Sequence, residues 1–150
     1  MTQISATEVA KLRKITGAGM MDCKQALSES NGDFDKAIEF LRKKGQKIAS
    51  KREDRDANEG CVLGGVTADA KSACIVVVNC ETDFVAKNED FIAFTKSVLE
   101  VALQEKPANL EELKAFKIKG ELISDLITDQ MGKNGEKIDL SYYGSISAEH

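Results

Sequence analysis

The chain has 150 residues, 42% apolar and 31% charged, with a formal net charge of −4. That balance belongs to a globular chain of one ordinary domain or two small ones and excludes an intrinsically disordered one. No apolar run approaches the roughly 20 residues needed to cross a bilayer, and the opening MTQISATEVAKLRK lacks the apolar stretch of a secretion signal. A cytoplasmic location without membrane contact is therefore expected.

Residues 1–57 carry 12 Lys+Arg against 9 Asp+Glu, and residues 58–150 carry 9 against 16. This shift predicts two units with different surfaces, and the acidic larger one is a poor nucleic-acid binder because phosphate contacts need clustered cations. In the first unit, Ser5-Ala-Thr-Glu8 is a capping-box pattern, followed by Val9, Leu12 and Ile15 as one apolar stripe. Thr16-Gly17-Ala18-Gly19 breaks this helix. A second helix is expected from about Met21 to Ser30, with Ala26 and Leu27 inward. Asn31-Gly32 then stops the chain and Asp33 caps a third helix, whose stripe is Phe34, Ala37, Ile38 and Leu41. Beyond Gly45, residues 46–56 carry Lys47, Lys51, Arg52 and Arg55 and read as a separate exposed linker helix, its charges a solvated face rather than an RNA site. So small a helical core is suited to presenting a surface, not to enclosing a pocket.

The second unit reads as α+β. Cys61–Thr67 and Ser72–Cys80 form an expected antiparallel hairpin, and the run 73–79, read as continuously apolar, predicts a strand covered on both faces. Gly64-Gly65 marks a bulge or a close backbone contact. After the cap Asn88, Phe91, Phe94, Val98 and Val101, with Ile92, Leu99 and Leu103 beside them, predict a largely buried helix ended by Pro107. A short helix Leu110–Phe116 follows. A longer one is expected over Ile118–Met131, with Leu122, Ile123, Leu126 and Ile127 inward and Gly132 as its stop. Asn134-Gly135 turns the chain, and Ile138, Leu140 and Tyr142 alternate as in a half-buried strand. The last element looks only begun, so the chain is expected to be a fragment.

Catalytic chemistry finds little support. Cys23, Cys61, Cys74 and Cys80 have neither CxxC spacing nor histidines nearby, so free thiols behaving as small apolar side chains are expected, rather than zinc or disulfides. The one histidine is His150, the last residue, which removes Ser–His and Cys–His pairs. Gly17-Ala18-Gly19 follows a helix, not a strand, and lacks the remainder of any phosphate-loop pattern. No cofactor, metal or small-molecule substrate is implied.

Two segments point instead to protein contacts. Between the expected buried strand and buried helix, Glu81-Thr82-Asp83-Phe84-Val85-Ala86-Lys87-Asn88 places an aromatic where a surface connection should be polar. Either Phe84 and Val85 tuck beneath the following helix, or Phe84 is an exposed wedge beside a carboxylate, aimed at a partner. Met20-Met21, near Arg13, is the second segment; core packing is the expected reading and exposure the alternative.

The run Leu12-Arg13-Lys14-Ile15-Thr16-Gly17-Ala18-Gly19-Met20-Met21-Asp22-Cys23-Lys24, with Ala26-Leu27, Asn31-Gly32-Asp33 and Ala37-Ile38, resembles the amino-terminal signature of the elongation factor Ts family. So does the distant Asn79-Cys80-Glu81-Thr82-Asp83-Phe84-Val85-Ala86-Lys87-Asn88. The resemblance implies a guanine-nucleotide exchange factor, not an enzyme, for the translational GTPase elongation factor Tu. It implies a ubiquitin-associated-like helical domain plus linker helix over 1–57, and over 58–150 the first part of an α+β core with an antiparallel sheet and covering helices. Thr82, Asp83, Phe84 and Val85 would then disturb the partner's magnesium site, and Arg13, Met20 and Met21 would form the small domain's contact. The family continues into further core, so the chain corresponds to its amino-terminal half. Two readings compete with this one: a helical adaptor acting through 1–57, and a thiol enzyme using Cys80 beside Glu81.

Overall fold

A computed structural model describes residues 3–148; His150 lies outside the described residues. The chain forms two compact units, one of Met1–Glu53 with Thr128–Glu136, the other of Asp54–Ile127 with Lys137–His150. The architecture is α+β: helices make the first unit, and a three-stranded antiparallel sheet with helices makes the second.

The first unit is built on three helices, α1 (Ala6–Thr16), α2 (Met20–Glu29) and α3 (Phe34–Lys51). The capping box forms as expected. The Ser5 hydroxyl accepts the Glu8 backbone N–H at 3.2 Å, and the Glu8 carboxylate accepts the Ser5 N–H at 2.8 Å. That N–H and the Ser5 hydroxyl hold the Glu8 carboxyl below its ordinary range. Because it removes the side chain that caps α1, Ser5→Ala should lower stability by about 1 kcal/mol. A carboxyl whose folded-state pKa is depressed stabilises above its unfolded pKa and ceases to do so as pH falls through the folded value. The gap between wild type and Ser5→Ala in thermal melts should accordingly narrow in acid.

Gly17 ends α1 in the left-handed conformation, φ 71°. Val9, Leu12, Ala18, Cys23, Ala26, Leu27 and Ala37 make the buried core, with Phe34, Ile38 and Leu41 packed on it. Cys23 lies in this core, where burial pushes its thiol pKa up, the state of an inert structural cysteine. Ile15 departs from expectation. It is 58% exposed, one residue before α1 ends.

Two glycines read as helix stops are instead packing positions. α3 runs through Gly45 to Lys51, so residues 46–51 continue α3, and no separate linker helix exists over 46–56. A β-carbon on Gly45 would lie 2.4 Å from the Thr128 carbonyl oxygen, and one on Gly132 would lie 3.1 Å from Gly45 Cα. Thr128 and Gly132 belong to α7 (Ile123–Asn134), which runs through Gly132 and meets α3 backbone to backbone. Arg42 fixes the crossing with a two-pronged ion pair to Asp129, at 3.0 Å from Nε and 2.8 Å from Nη2.

The second unit is ordered around β1 (Glu59–Val66), β2 (Ser72–Cys80) and β5 (Asp139–Ser147), in the spatial order β1-β2-β5. The hairpin β1–β2 keeps an unbroken register from Glu59↔Cys80 to Val66↔Ala73, so Gly64-Gly65 is not a bulge. Gly65 is a close approach: a β-carbon there would sit 3.0 Å from Leu103 on α5 (Glu89–Glu105). That helix buries Phe91, Thr95, Val98, Leu99 and Ala102, and Cys74, Val76, Val78 and Cys80 form the buried face of β2. The other face of the sheet is open: Val62, Val66, Ile75, Tyr142 and Ile146 are exposed, so β2 is not covered on both faces among the described residues.

Tyr142 reaches that open face through a bulge. The register steps from Val78↔Leu140 to Val77↔Tyr142, so β5 spends one extra residue and its alternation inverts. Tyr143 takes the inward position, and its hydroxyl donates to the Pro107 carbonyl at 2.7 Å. β5 runs on to Ser147. After α6 (Leu110–Lys114), the residues expected to begin the long helix form a small hairpin, β3 (Lys117–Ile118) and β4 (Glu121–Leu122). Lys119 and Gly120 both take positive φ, 52° and 84°, the conformation of a two-residue hairpin turn, and this delays the helix to Ile123.

Candidate partner-binding site

Where a surface connection was expected, Thr82–Asn88 forms a capped helical turn, α4 (Asp83–Ala86). Each end is held by a polar side chain. Thr82 Oγ1 accepts the Val85 N–H at 3.4 Å, and the Cys80 thiol donates to the Thr82 carbonyl at 3.2 Å. At the other end Asn88 Oδ1 accepts the N–H groups of Asp90 and Phe91, at 2.9 and 3.3 Å, and starts α5. Turn and long helix thus meet at a fixed corner.

The corner decides between the two readings of its aromatic. Phe84 is 84% exposed, whereas Val85 is half-buried. Only Val85 follows the tucked-under reading. Asp83 beside the ring is also exposed and pairs with Lys87 at 3.2 Å. An exposed pair of this kind contributes about 0–1 kcal/mol, so Asp83 can exchange Lys87 for another partner at small loss. The arrangement is a large apolar ring next to an anion, on a short element whose ends are tied.

In the first unit, Arg13 lies on the exposed last turn of α1, and Met20 and Met21 open α2. The core-packing expectation for the methionines does not hold. Met20 is 48% and Met21 75% exposed, because Cys23, Ala26 and Leu27 already fill the inward positions of α2. With Ile15 they leave three apolar side chains uncovered around the Thr16–Gly19 connection. The structure therefore gathers Thr82, Asp83, Phe84 and Val85 at one corner of the second unit, and Arg13, Met20 and Met21 at one inter-helix connection of the first. Sequence reasoning missed Ile15 as an exposed residue; its place in the last turn before a double-glycine break was the available signal.

Among the described residues, no group of three or more His, Cys, Asp or Glu is placed to hold a metal ion, and no helix is long and apolar enough to cross a membrane. Cys80 is buried, with its thiol turned to the Thr82 carbonyl, which is the contact of a structural cysteine. What the geometry offers is two sets of exposed apolar side chains on an α+β protein, Phe84 on a capped turn and Ile15, Met20 and Met21 beside an inter-helix connection.

Comparison with known proteins gives the family. Residues 81–150 match the family model described as elongation factor TS. The chain is 49% identical over 147 residues to the elongation factor Ts of Phocaeicola vulgatus, an alignment covering 98% of this chain and 44% of that relative. It is 55% identical over 146 residues to that of Porphyromonas gingivalis strain ATCC 33277, covering 96% and 52%. It is 51% identical over 148 residues to that of Christiangramia forsetii, covering 99% and 53%. The chain belongs to the elongation factor Ts family and spans about half the length of the curated relatives it matches.

Proposed function

We propose that the chain carries the exchange-promoting tip of a guanine-nucleotide exchange factor for elongation factor Tu, working in the cytoplasm by protein contact and without a cofactor. The observation that carries this reading is Phe84, 84% exposed on a turn capped at both ends. Residues 1–57 serve as the ubiquitin-associated-like module, with Arg13, Met20 and Met21 on the GTPase. Residues 58–150 serve as the first part of the core, with Thr82–Val85 inserted near the partner's magnesium site.

The physics of such a tip is differential binding. Magnesium bridges nucleotide phosphates to protein and is the largest local charge in such a site, so displacing it weakens nucleotide retention. A wedge shifts the partner only by as much as it prefers the nucleotide-free state. A swing from 1:99 to 99:1 requires about 5.5 kcal/mol of preference, and one buried Phe supplies about 1.5–3 kcal/mol. The methionine surface, and the further contacts of full-length relatives, must supply the remainder. The chain alone is therefore expected to accelerate exchange less than a full-length relative does.

The test is release of fluorescent GDP from elongation factor Tu. The chain should accelerate it, Asp83→Ala should reduce the acceleration, and Met20→Ala/Met21→Ala should raise the concentration of chain needed. A chain that leaves the release rate unchanged at every concentration would refute the reading.

A further inference from the structure

The mounting of Phe84 involves a residue outside the Thr82–Val85 tip. The ladder between β2 and β5 reaches Val78↔Leu140 and Asn79↔Asp139, and the same antiparallel register extended two steps sets Glu81 opposite Lys137. Here β2 has already ended, since the backbone must turn away into α4. A regular rung would need a backbone carbonyl facing Lys137. Instead the Glu81 side chain provides the acceptor: its Oε1 takes the Lys137 N–H at 2.8 Å, across 56 residues of chain, in a half-buried setting. A carboxylate accepting a backbone N–H is a charge-assisted bond, shorter and stronger than a neutral one.

We infer that Glu81 is a positioning residue for Phe84: its carboxylate stands in for the missing rung, so that the backbone can leave the sheet while the root of α4 stays tied to the segment that leads into β5. The inference rests on the wedge reading of Phe84. No residue of α4 is fully buried: Val85 and Ala86 are half-buried on its inner side and Asp83 and Phe84 are exposed, so its aim depends on its ends as well as on that packing. Thr82 and Asn88 tie those ends to neighbours in sequence. Glu81 ties the first of them to Lys137, distant in sequence, just before β5. A contact element held in its bound orientation avoids the ordering loss that a loose one incurs on binding.

Glu81→Gln keeps an acceptor oxygen at the same reach, and Glu81→Ala removes it. Backbone NMR order parameters give the mechanical readout. Asp83–Ala86 should be near the rigid ~0.85 in the wild type and in Glu81→Gln, and fall below about 0.6 in Glu81→Ala, with Val76 and Val78 of β2 unchanged. In fluorescent-GDP release, Glu81→Ala should lower the maximal rate at saturating chain about five- to ten-fold with little change in thermal midpoint, and Glu81→Gln should recover to within about two- to three-fold of wild type. Unchanged order in α4 of Glu81→Ala overturns the inference. So does an equal loss of order in β2, which would mark a general structural role, or a Glu81→Gln as loose as Glu81→Ala. Failure of the wedge reading looks different: wild type and Phe84→Ala would then release GDP equally, while the order parameters still report on the clamp. Should Glu81→Ala not fold, Glu81→Asp, whose shorter side chain withdraws the acceptor from the Lys137 N–H, is read in its place: loss of order in α4 is expected, and unchanged order there overturns the inference.

Discussion

Phe84→Ala should abolish most of the acceleration of GDP release while leaving the fold intact. The ring is 84% exposed in the free chain, so its removal exposes no core and should shift stability by no more than about 0.5 kcal/mol. In the complex the same ring would be buried, and losing it removes about 1.5–3 kcal/mol of contact, on the order of ten- to a hundred-fold in rate or affinity. The pairing of these results matters more than either alone. Lost exchange with an unchanged melting curve assigns Phe84 to the partner, whereas lost exchange with a lowered midpoint would return it to the chain's own packing. Stimulation of release measured beside a thermal melt separates the two.

Gly45→Ala should destabilise the first unit by about 2 kcal/mol, the opposite of the usual sign. In a free helix, alanine is favoured over glycine by about 0.8–1.0 kcal/mol. Here the added methyl would sit 2.4 Å from the Thr128 carbonyl oxygen, an atom of helix backbone that cannot swing aside as a side-chain tip would. The α3–α7 crossing must open, and the Arg42–Asp129 pair is strained with it. Urea denaturation followed by far-ultraviolet circular dichroism reads the change. A gain of about 1 kcal/mol would show instead that α7 does not hold its place against α3.

The parts of the molecule legible in the sequence are those specified by neighbours. Ser5 and Glu8, Asp33, and Asn88 announce helix starts because a cap is a contact over two or three residues. Ser72–Cys80 is recognisable as a strand because its apolar run is continuous. Gly45 and Gly132 misled for the same reason in reverse. A glycine that ends a helix and one that admits another backbone are identical in sequence, and only the partner 80 or more residues away distinguishes them. The bulge that turns Tyr142 outward and Tyr143 inward likewise depends on β2. At the candidate site, residues 81–88 drew notice through an aromatic in a polar setting, yet its exposure could not be read locally. Glu81 stood out in the sequence only as a neighbour of Cys80 and of the aromatic; its tie to Lys137 is visible only once the strand register sets the two opposite.

The most direct test of the central claim is an equilibrium comparison of one chain with two states of one partner. Affinity for elongation factor Tu should be measured nucleotide-free and again saturated with GDP and magnesium. Because coupling between two ligands is reciprocal, binding should be tighter to the empty GTPase by the same factor by which the chain weakens GDP. Equal affinity for both states, however tight, would contradict the account, since a ligand without preference shifts no equilibrium.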